Sequence, residues 1–404
     1  MGSSEVRILL VSASHGESPT QVRVARSVEL STALIGAGAD VAEIALCERP
    51  ILDDELVRVV STPGLRDREL VFDPATCTRS GRWLAKFSLA RCFGRTPAPG
   101  TPQGLRRAVD RSLAKRPADL VILRGTRLCD LIHTVDRRCP VVLDLGRWDP
   151  ERNERLREFG REDAEAELRD DPSIEQLERF DAIFVSSKSV ERRLRNDGLK
   201  APILVCPPVA TIAPTSAEPS RPPQILFSGS ETIENLDGLR WFRHRVLPHV
   251  QKSVPSAELR VVGECARHTA AGTGLLRIGW VGDLQAELAV SSLVVLPLRI
   301  ASGVRRRAIE ALGAGRALAL TPEIAADLEL VPGRDAVVAS DERELGRAIA
   351  DVLSDDAERH RLEARSREIA RTRFAPQVAL APLLSHLEVE REEDVAKETF
   401  ATFV

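Results

Sequence analysis

The chain has 404 residues, 43% hydrophobic and 29% charged, with a net charge of -3. At a soft prior of about 150 residues per domain, this suggests two or three globular domains. It carries no basic field for nucleic acid, and 4% aromatics without a single tyrosine exclude a stacking surface for single strands.

From the N-terminus, MGSSEVRILLVSA turns from charged to strand-like, without the apolar core and cleavage site of a signal peptide. VRILLVSA (6–13) reads as a buried parallel strand. QVRVARSVELSTALIGAGAD reads as a helix ending at Gly36 and Gly38, and VAEIAL (41–46) as the next strand. Residues 47–104 hold scattered prolines and arginines and one amphipathic piece, RWLAKFSLARCF, and show no clear order. Alternation then resumes with ADLVILRG, a helix near 126–137, PVVLDLG, a charged helical stretch at 150–180, DAIFVSS, a helix from Ser189, and APILVCP.

PPVATIAPTSAEPSRPP (207–223) has no periodicity and is rich in proline and small polar residues, which marks a boundary. Beyond it come the strand QILFSG (224–229), the helix LDGLRWFRHRVLPHV and the strands AELRVVG and LRIGWVG. QAELAVS, the strand SLVVLPL, the helix opening in ASGVRRRAIEALGAG, RALALT and two helices between Glu342 and Arg373 follow. Strand–helix alternation implies parallel sheets covered on both faces, hence two doubly wound domains with a ligand cleft at the carboxyl ends of their strands. The divisions are residues 1–206, the linker 207–223, residues 224–375 and a tail, 376–404, expected to pack back toward the first domain.

Seven cysteines are scattered with no C-x-x-C pair, so no zinc site, other metal site or disulfide framework is expected. The thiols read as reduced and the protein as cytoplasmic. Apolar runs such as LVVLPL fall far short of the roughly 20 residues a spanning helix needs; a peripheral membrane contact is left open.

The sharpest candidate is the start of the helix after SLVVLPL. Ser302 and Gly303 make a turn where a helix N-terminus offers free N–H groups to an anion, and Gly303 lets a ligand approach closely. Val304, Ala308, Ala311 and Leu312 form a buried stripe, while Gly303, Arg306, Arg307, Glu310, Gly313 and Ala314 share another face. A carboxylate at Glu310 suits a ribose diol, and arginines a turn earlier suit a diphosphate. The competing reading is an ordinary solvated i,i+4 pair between Arg306 and Glu310.

These residues carry a resemblance. SGVRRRAIEALGAG resembles the G-x-R-x-K-x-x-E-A-L-A-x-G motif of glycosyltransferase family 4, nucleotide-sugar enzymes of the GT-B fold. ILFSGSETIENLDGLRWFRHRVLP, LRVVGE, RIGWVGDLQAELAVSSLVVLPLRIASG and the closing helices resemble the family's C-terminal domain, over about residues 224–375. ADLVIL, PVVLDL, FDAIFVSSKSVERRLRNDG and ILVCPPVA resemble its N-terminal domain more loosely.

The resemblance implies an α/β GT-B fold, two doubly wound Rossmann-like domains with an interdomain cleft. It also implies sugar transfer with retention, from a UDP-, GDP- or dTDP-sugar to a small-molecule, glycan or lipid-linked acceptor, without a cofactor. By position, Glu310 falls where the family binds the donor ribose. Arg305 and Arg307 fall on its diphosphate-binding basic positions, with Arg307 replacing a lysine. Gly229 and Ser230 match its glycine turn, and Val281 and Gly282 the segment that meets the base. Where many members carry a further glutamate eight residues before the first, this chain has Ser302.

In the first half, His15 follows the first strand and could position an acceptor, or be a loop histidine without a role. Asp144, with Arg147 and Asp149 in LDLGRWDP, is a candidate acceptor-orienting carboxylate or base; the alternative is a capping cluster, since Asp149-Pro150 suits a helix start. Arg124 suits a phosphate contact or a merely exposed arginine. Two other readings of the whole chain are a non-catalytic relative that binds a nucleotide sugar and a nucleotide-sugar epimerase.

Overall fold

The computed structural model describes residues 6–13, 22–47, 65, 67–72, 103–135, 139–145, 172–213, 219, 221–269, 272, 274–300 and 306–386. Two all-parallel sheets organise them, one of seven strands and one of six.

In the first half, β1 (Arg7–Ala13) leads through α1 (Val22–Gly36) to β2 (Asp40–Cys47) and β3 (Asp67–Phe72). α2 (Gln103–Lys115) leads to β4 (Leu120–Arg124), and a 3-10 helix over Thr126–His133 to β5 (Val141–Asp144). α3 (Ile174–Leu177), β6 (Ala182–Val185), α4 (Lys188–Asn196) and β7 (Ile203–Val205) complete it. The strand order is β3-β2-β1-β4-β5-β6-β7. β3 emerges from a stretch that sequence periodicity leaves unread: an edge strand reading DRELVF has too few apolar positions to announce itself.

Each strand of this sheet sends alternate residues to opposite faces. Leu9, Val11, Val121, Leu123 and Ile183 pack beneath α2, the 3-10 helix, α3 and α4. Ile8, Leu10, Ile122, Val142 and Phe184 pack beneath α1, whose Leu30 and Leu34 are fully buried. Leu380 and Leu383, from the far end of the chain, join this second cluster.

In the second half, β8 (Gln224–Ser228) leads through α5 (Ile233–Trp241), a π-helical turn (Phe242–Val246) and α6 (Leu247–Ser253) to β9 (Glu258–Val262) and β10 (Leu275–Gly279). α7 (Leu284–Val290), β11 (Leu293–Leu296), α8 (Arg306–Gly313), β12 (Ala317–Leu320), α9 (Pro322–Asp327) and β13 (Val337–Val338) follow. α10 (Glu342–Ser354), α11 (Asp356–Ile369), a second π-helical turn (Ala370–Phe374) and the short α12 (Pro376–Ala379) end the described order. The strand order is β10-β9-β8-β11-β12-β13.

Both sheets therefore start in the middle, run outward, and return to the other side of the first strand. The reversals lie between β1 and β4 and between β8 and β11, and a doubly wound sheet binds its ligand at such a point, past the carboxyl ends of the strands. Among the described residues, no helix is long and apolar enough to cross a membrane.

Candidate functional site

The carboxyl edge of the second sheet, from its reversal point outward through β9 and β10, is turned by glycines. β8 stops at Ser228, and the Gly229 N–H donates to the carbonyl of Val262 at 3.1 Å. The Gly229 carbonyl accepts from the Cys265 N–H at 3.3 Å, and the Gly263 N–H donates to the carbonyl of Gly279 at 2.6 Å. Gly263 and Gly279 have φ of 95° and 76°, which side-chain-bearing residues rarely adopt. A Cβ on Gly263 would also run into the Gly229 carbonyl. Asn235, in the first turn of α5, fastens the Gly229–Ser230 turn from below by donating from Nδ2 to the Ser230 carbonyl at 3.0 Å and to Ser230 Oγ at 3.4 Å. Thr232 caps α5, its Oγ1 accepting from the Asn235 N–H at 3.4 Å. The turns that follow three neighbouring strands are thus stitched to one another through backbone hydrogen bonds that only glycine lets come so close.

α8 begins on the other side of the reversal. Ala308, Ala311 and Leu312 are fully buried, in the stripe read from the sequence, and so is Ile309. On the opposite face, Arg307 Nη1 donates to Glu310 Oε2 at 2.8 Å, with the two side chains 26% and 17% exposed. Arg307 is also near enough to Cys265 to oppose the effect of burial, which pushes that thiol up to about 12. Its charge thus reaches the short helix after β9, whose Cys265 N–H donates to the Gly229 carbonyl. Ser302, Gly303 and Arg305, and His15 in the first half, lie outside the described residues.

The segment leaving β11 is held by Arg299, which grips Asp237 through Nη2 at 2.7 Å and Nε at 3.1 Å and lies over the Trp241 ring at 5.6 Å. Gly238 lets the Pro297 carbonyl come close, since a Cβ there would meet it at 2.7 Å. Val281 packs on the core after β10, Trp280 beside it is 53% exposed, and Gly282 has open space where a Cβ would point.

The reversal point of the first sheet is filled instead by charge. Asp144 ends β5 with its side chain 4% exposed, and its Oδ2 lies 3.6 Å from both Arg124 Nε and Arg26 Nε. Of the roles read for Asp144, the structure shows one local contact set: its buried oxygen faces two guanidinium groups of its own chain, and its charge holds them in place. Arg124, read from sequence as a phosphate contact or an exposed arginine, has a side chain 15% exposed and reaches Ser27 Oγ at 3.4 Å, so it is not simply exposed. Burial lowers its pKa, Asp144 raises it, and Arg26 and Arg306 lower it further. Buried Glu43 accepts from Ser12 Oγ at 3.3 Å on the same face.

Arg306 does not pair with Glu310. Its Nη1 donates to Glu29 Oε1 of α1 at 2.6 Å, across the cleft. Sequence reading missed this role, because the partners are 277 positions apart. It also passed over Gly263 and Cys265, although the glycine directly after the apolar LRVV is a readable sign of a tight turn.

Residues 222–355 match the family model described as "Glycosyl transferases group 1". No curated protein matches the sequence. Among solved structures, the chain is similar to a sucrose-phosphate synthase from Thermosynechococcus elongatus, with 16% identity and a TM-score of 0.66 over 97% of this chain and 100% of that one. It is similar to Anabaena HepE solved with UDP-glucose, at 13% identity and a TM-score of 0.62 over 94% and 99%. A glycosyltransferase from Rickettsia africae matches at 13% identity and a TM-score of 0.61 over 96% and 99%. The matched domain supports glycosyl transfer, and the chain as a whole has the GT-B fold shared by these structures.

Proposed function

We propose that the protein transfers a sugar from a nucleoside-diphosphate sugar to an acceptor held against the first half, with retention of configuration. The observation that carries this reading is the Arg307–Glu310 pair, whose cation reaches the short helix bonded to Gly229 at the reversal point of the second sheet. The small Gly229–Ser230 turn leaves room for a diphosphate, and Arg307 supplies fixed positive charge where negative charge develops as the bond to the sugar breaks. By resemblance, Arg305 joins it and the Ser302–Gly303 turn adds N–H donors. Glu310, steered by Arg307, accepts from the ribose diol, while Val281 and Gly282 line the base. Fixed arginines neutralise the leaving group without a metal, and the two halves together keep water from the donor.

In this reading residues 1–206 serve the acceptor, 224–375 the donor and 207–223 join them, in a protein of the cytoplasm. Anabaena HepE was solved with UDP-glucose, which makes UDP-sugars the first donors to try.

The test is a panel of UDP-, GDP- and dTDP-sugars followed for transfer and slow hydrolysis. Arg307→Ala and Glu310→Ala are each expected to weaken nucleotide binding about 10- to 100-fold, the worth of one charged hydrogen bond. Unchanged affinity in both would remove the site from this helix.

A further inference from the structure

α8 is held at both ends by parts of the chain outside its own half. At its start, Arg306 Nη1 donates to Glu29 Oε1 at 2.6 Å, with the side chains 15% and 13% exposed. At its end, the Gly313 carbonyl accepts from the Ala213 N–H of the linker at 3.0 Å, and a Cβ on Gly313 would strike the Thr211 carbonyl.

Glu29 is itself anchored. Its Oε2 lies 3.6 Å from Arg26 Nη1, one turn earlier on α1. Arg26 donates from Nη2 to the Cys206 carbonyl at 2.7 Å and from Nη1 to the Pro207 carbonyl at 3.0 Å. Those carbonyls mark where the chain leaves the first sheet. One face of α1 therefore links the exit of the first half to the helix that carries Arg307 and Glu310.

A second contact closes the far side. Ser189 Oγ donates to Asp327 Oδ1 at 2.8 Å and Lys188 Nζ to Glu329 Oε2 at 3.3 Å, but the lysine and glutamate are 62% and 42% exposed and contribute little. The Arg306–Glu29 pair is the better shielded of the two bridges, and so the less screened by salt.

We propose that Arg306 is a positioning residue that reports closure to the donor site. Its pair with Glu29 fixes the start of α8, and with it Arg307 and Glu310, when the two halves are together. The reading rests on the donor site proposed above. Arg306 itself is not assigned to the ligand: its guanidinium is already committed to Glu29, one position from the arginine that serves the diphosphate. Binding at α8 and closure then become one coupled equilibrium, in which each favours the other by the same factor.

The test uses the full chain with Glu29→Arg, Arg306→Glu and the double charge swap. Small-angle scattering measures the separation of the halves, and calorimetry measures binding of UDP and GDP as probes. Each single reversal is expected to enlarge the radius of gyration and weaken nucleotide binding about tenfold, within the usual range of coupling between sites. The double swap is expected to restore both in part, since Glu29→Arg also loses the contact with Arg26, and damage unrelated to the pairing would not be restored at all. If a reversal fails to fold by circular dichroism, Glu29→Gln and Arg306→Gln take its place with the same readouts and a smaller expected change. Unchanged scattering and affinity in the single variants, or a swap that restores neither, overturns the proposal. If the unsubstituted chain binds neither nucleotide while its scattering still responds to reversal and swap, the donor reading fails and the closure contact stands.

Discussion

The two sheets share a winding scheme and differ in what they place at the reversal point. The first sheet carries Arg124, Asp144 and Glu43 there, with Arg26 laid over them from α1. The second carries Gly229 there, bonded onward to the turns at Gly263 and Gly279 that end the two neighbouring strands. One edge is completed by the protein's own charges, with positive and negative groups already matched. The other keeps side chains small at its turns, and the charge that reaches it from α8 is that of Arg307, paired with Glu310. Equivalent positions on equivalent sheets thus divide into a preset surface and a receptive one.

The sharpest way to break this contrast is to unbalance the first edge. Asp144→Asn leaves two arginines without their shared carboxylate and is expected to cost about 3–5 kcal/mol in urea unfolding. A loss below about 1 kcal/mol would mean the arginines find other partners, and the edge is not preset. Gly263→Ala attacks the receptive edge. It imposes a left-handed φ and a clash on a side-chain-bearing residue, and is expected to cost about 2–3 kcal/mol in thermal unfolding. Gly282→Ala, with open space at its Cβ, is the control and should stay within about 0.5 kcal/mol. Equal effects in the two variants would show that backbone crowding is not what keeps Gly263 bare.

The smallest effect concerns two thiols, one on each side. Burial pushes Cys206 up to about 11 and Cys265 up to about 12. At pH 8 in the folded protein, their thiolate fractions are then about 100- and 1000-fold below those of ordinary thiols, and alkylation rates followed by mass spectrometry should fall accordingly. Because the folded values are raised, the stability these groups contribute is complete below about pH 8.5 and is lost as pH rises toward their folded values. Rapid labelling of Cys265 would show that the receptive edge opens to solvent more deeply than this arrangement implies.

Much of the second half was legible because its strands are unbroken apolar runs, such as LVVL before Pro297, separated by periodic helices. The stripe of Ala308, Ala311 and Leu312 followed from spacing alone. Pairing across long separations did not follow. Arg306 looked like half of a local pair with Glu310, and only the packed chain brings Glu29 to it. Asp144 looked reactive because it ends a strand near a cleft. Spacing could not reveal that Arg26, on a helix more than a hundred positions earlier, lies over it. The exposed reading of Arg124, one of its two, fails for the same reason. β3 escaped because DRELVF opens on three charged residues and leaves only three apolar ones in a row, too few to show a period.

The way the chain passes between the halves has a mechanical consequence. It crosses once on leaving the first sheet and again on returning to bury Leu380 and Leu383 beneath α1. The two passages run side by side, and the Ala210 N–H of one donates to the Phe374 carbonyl of the other at 2.8 Å. A lone tether would leave the halves free to swivel and slide in every direction. Two strands of chain stitched together resist twisting and shear, and yield most easily to bending along their common line. Among the described residues, that line is where bending of one half against the other would meet the least resistance, and the Arg306–Glu29 contact lies off it as a brace.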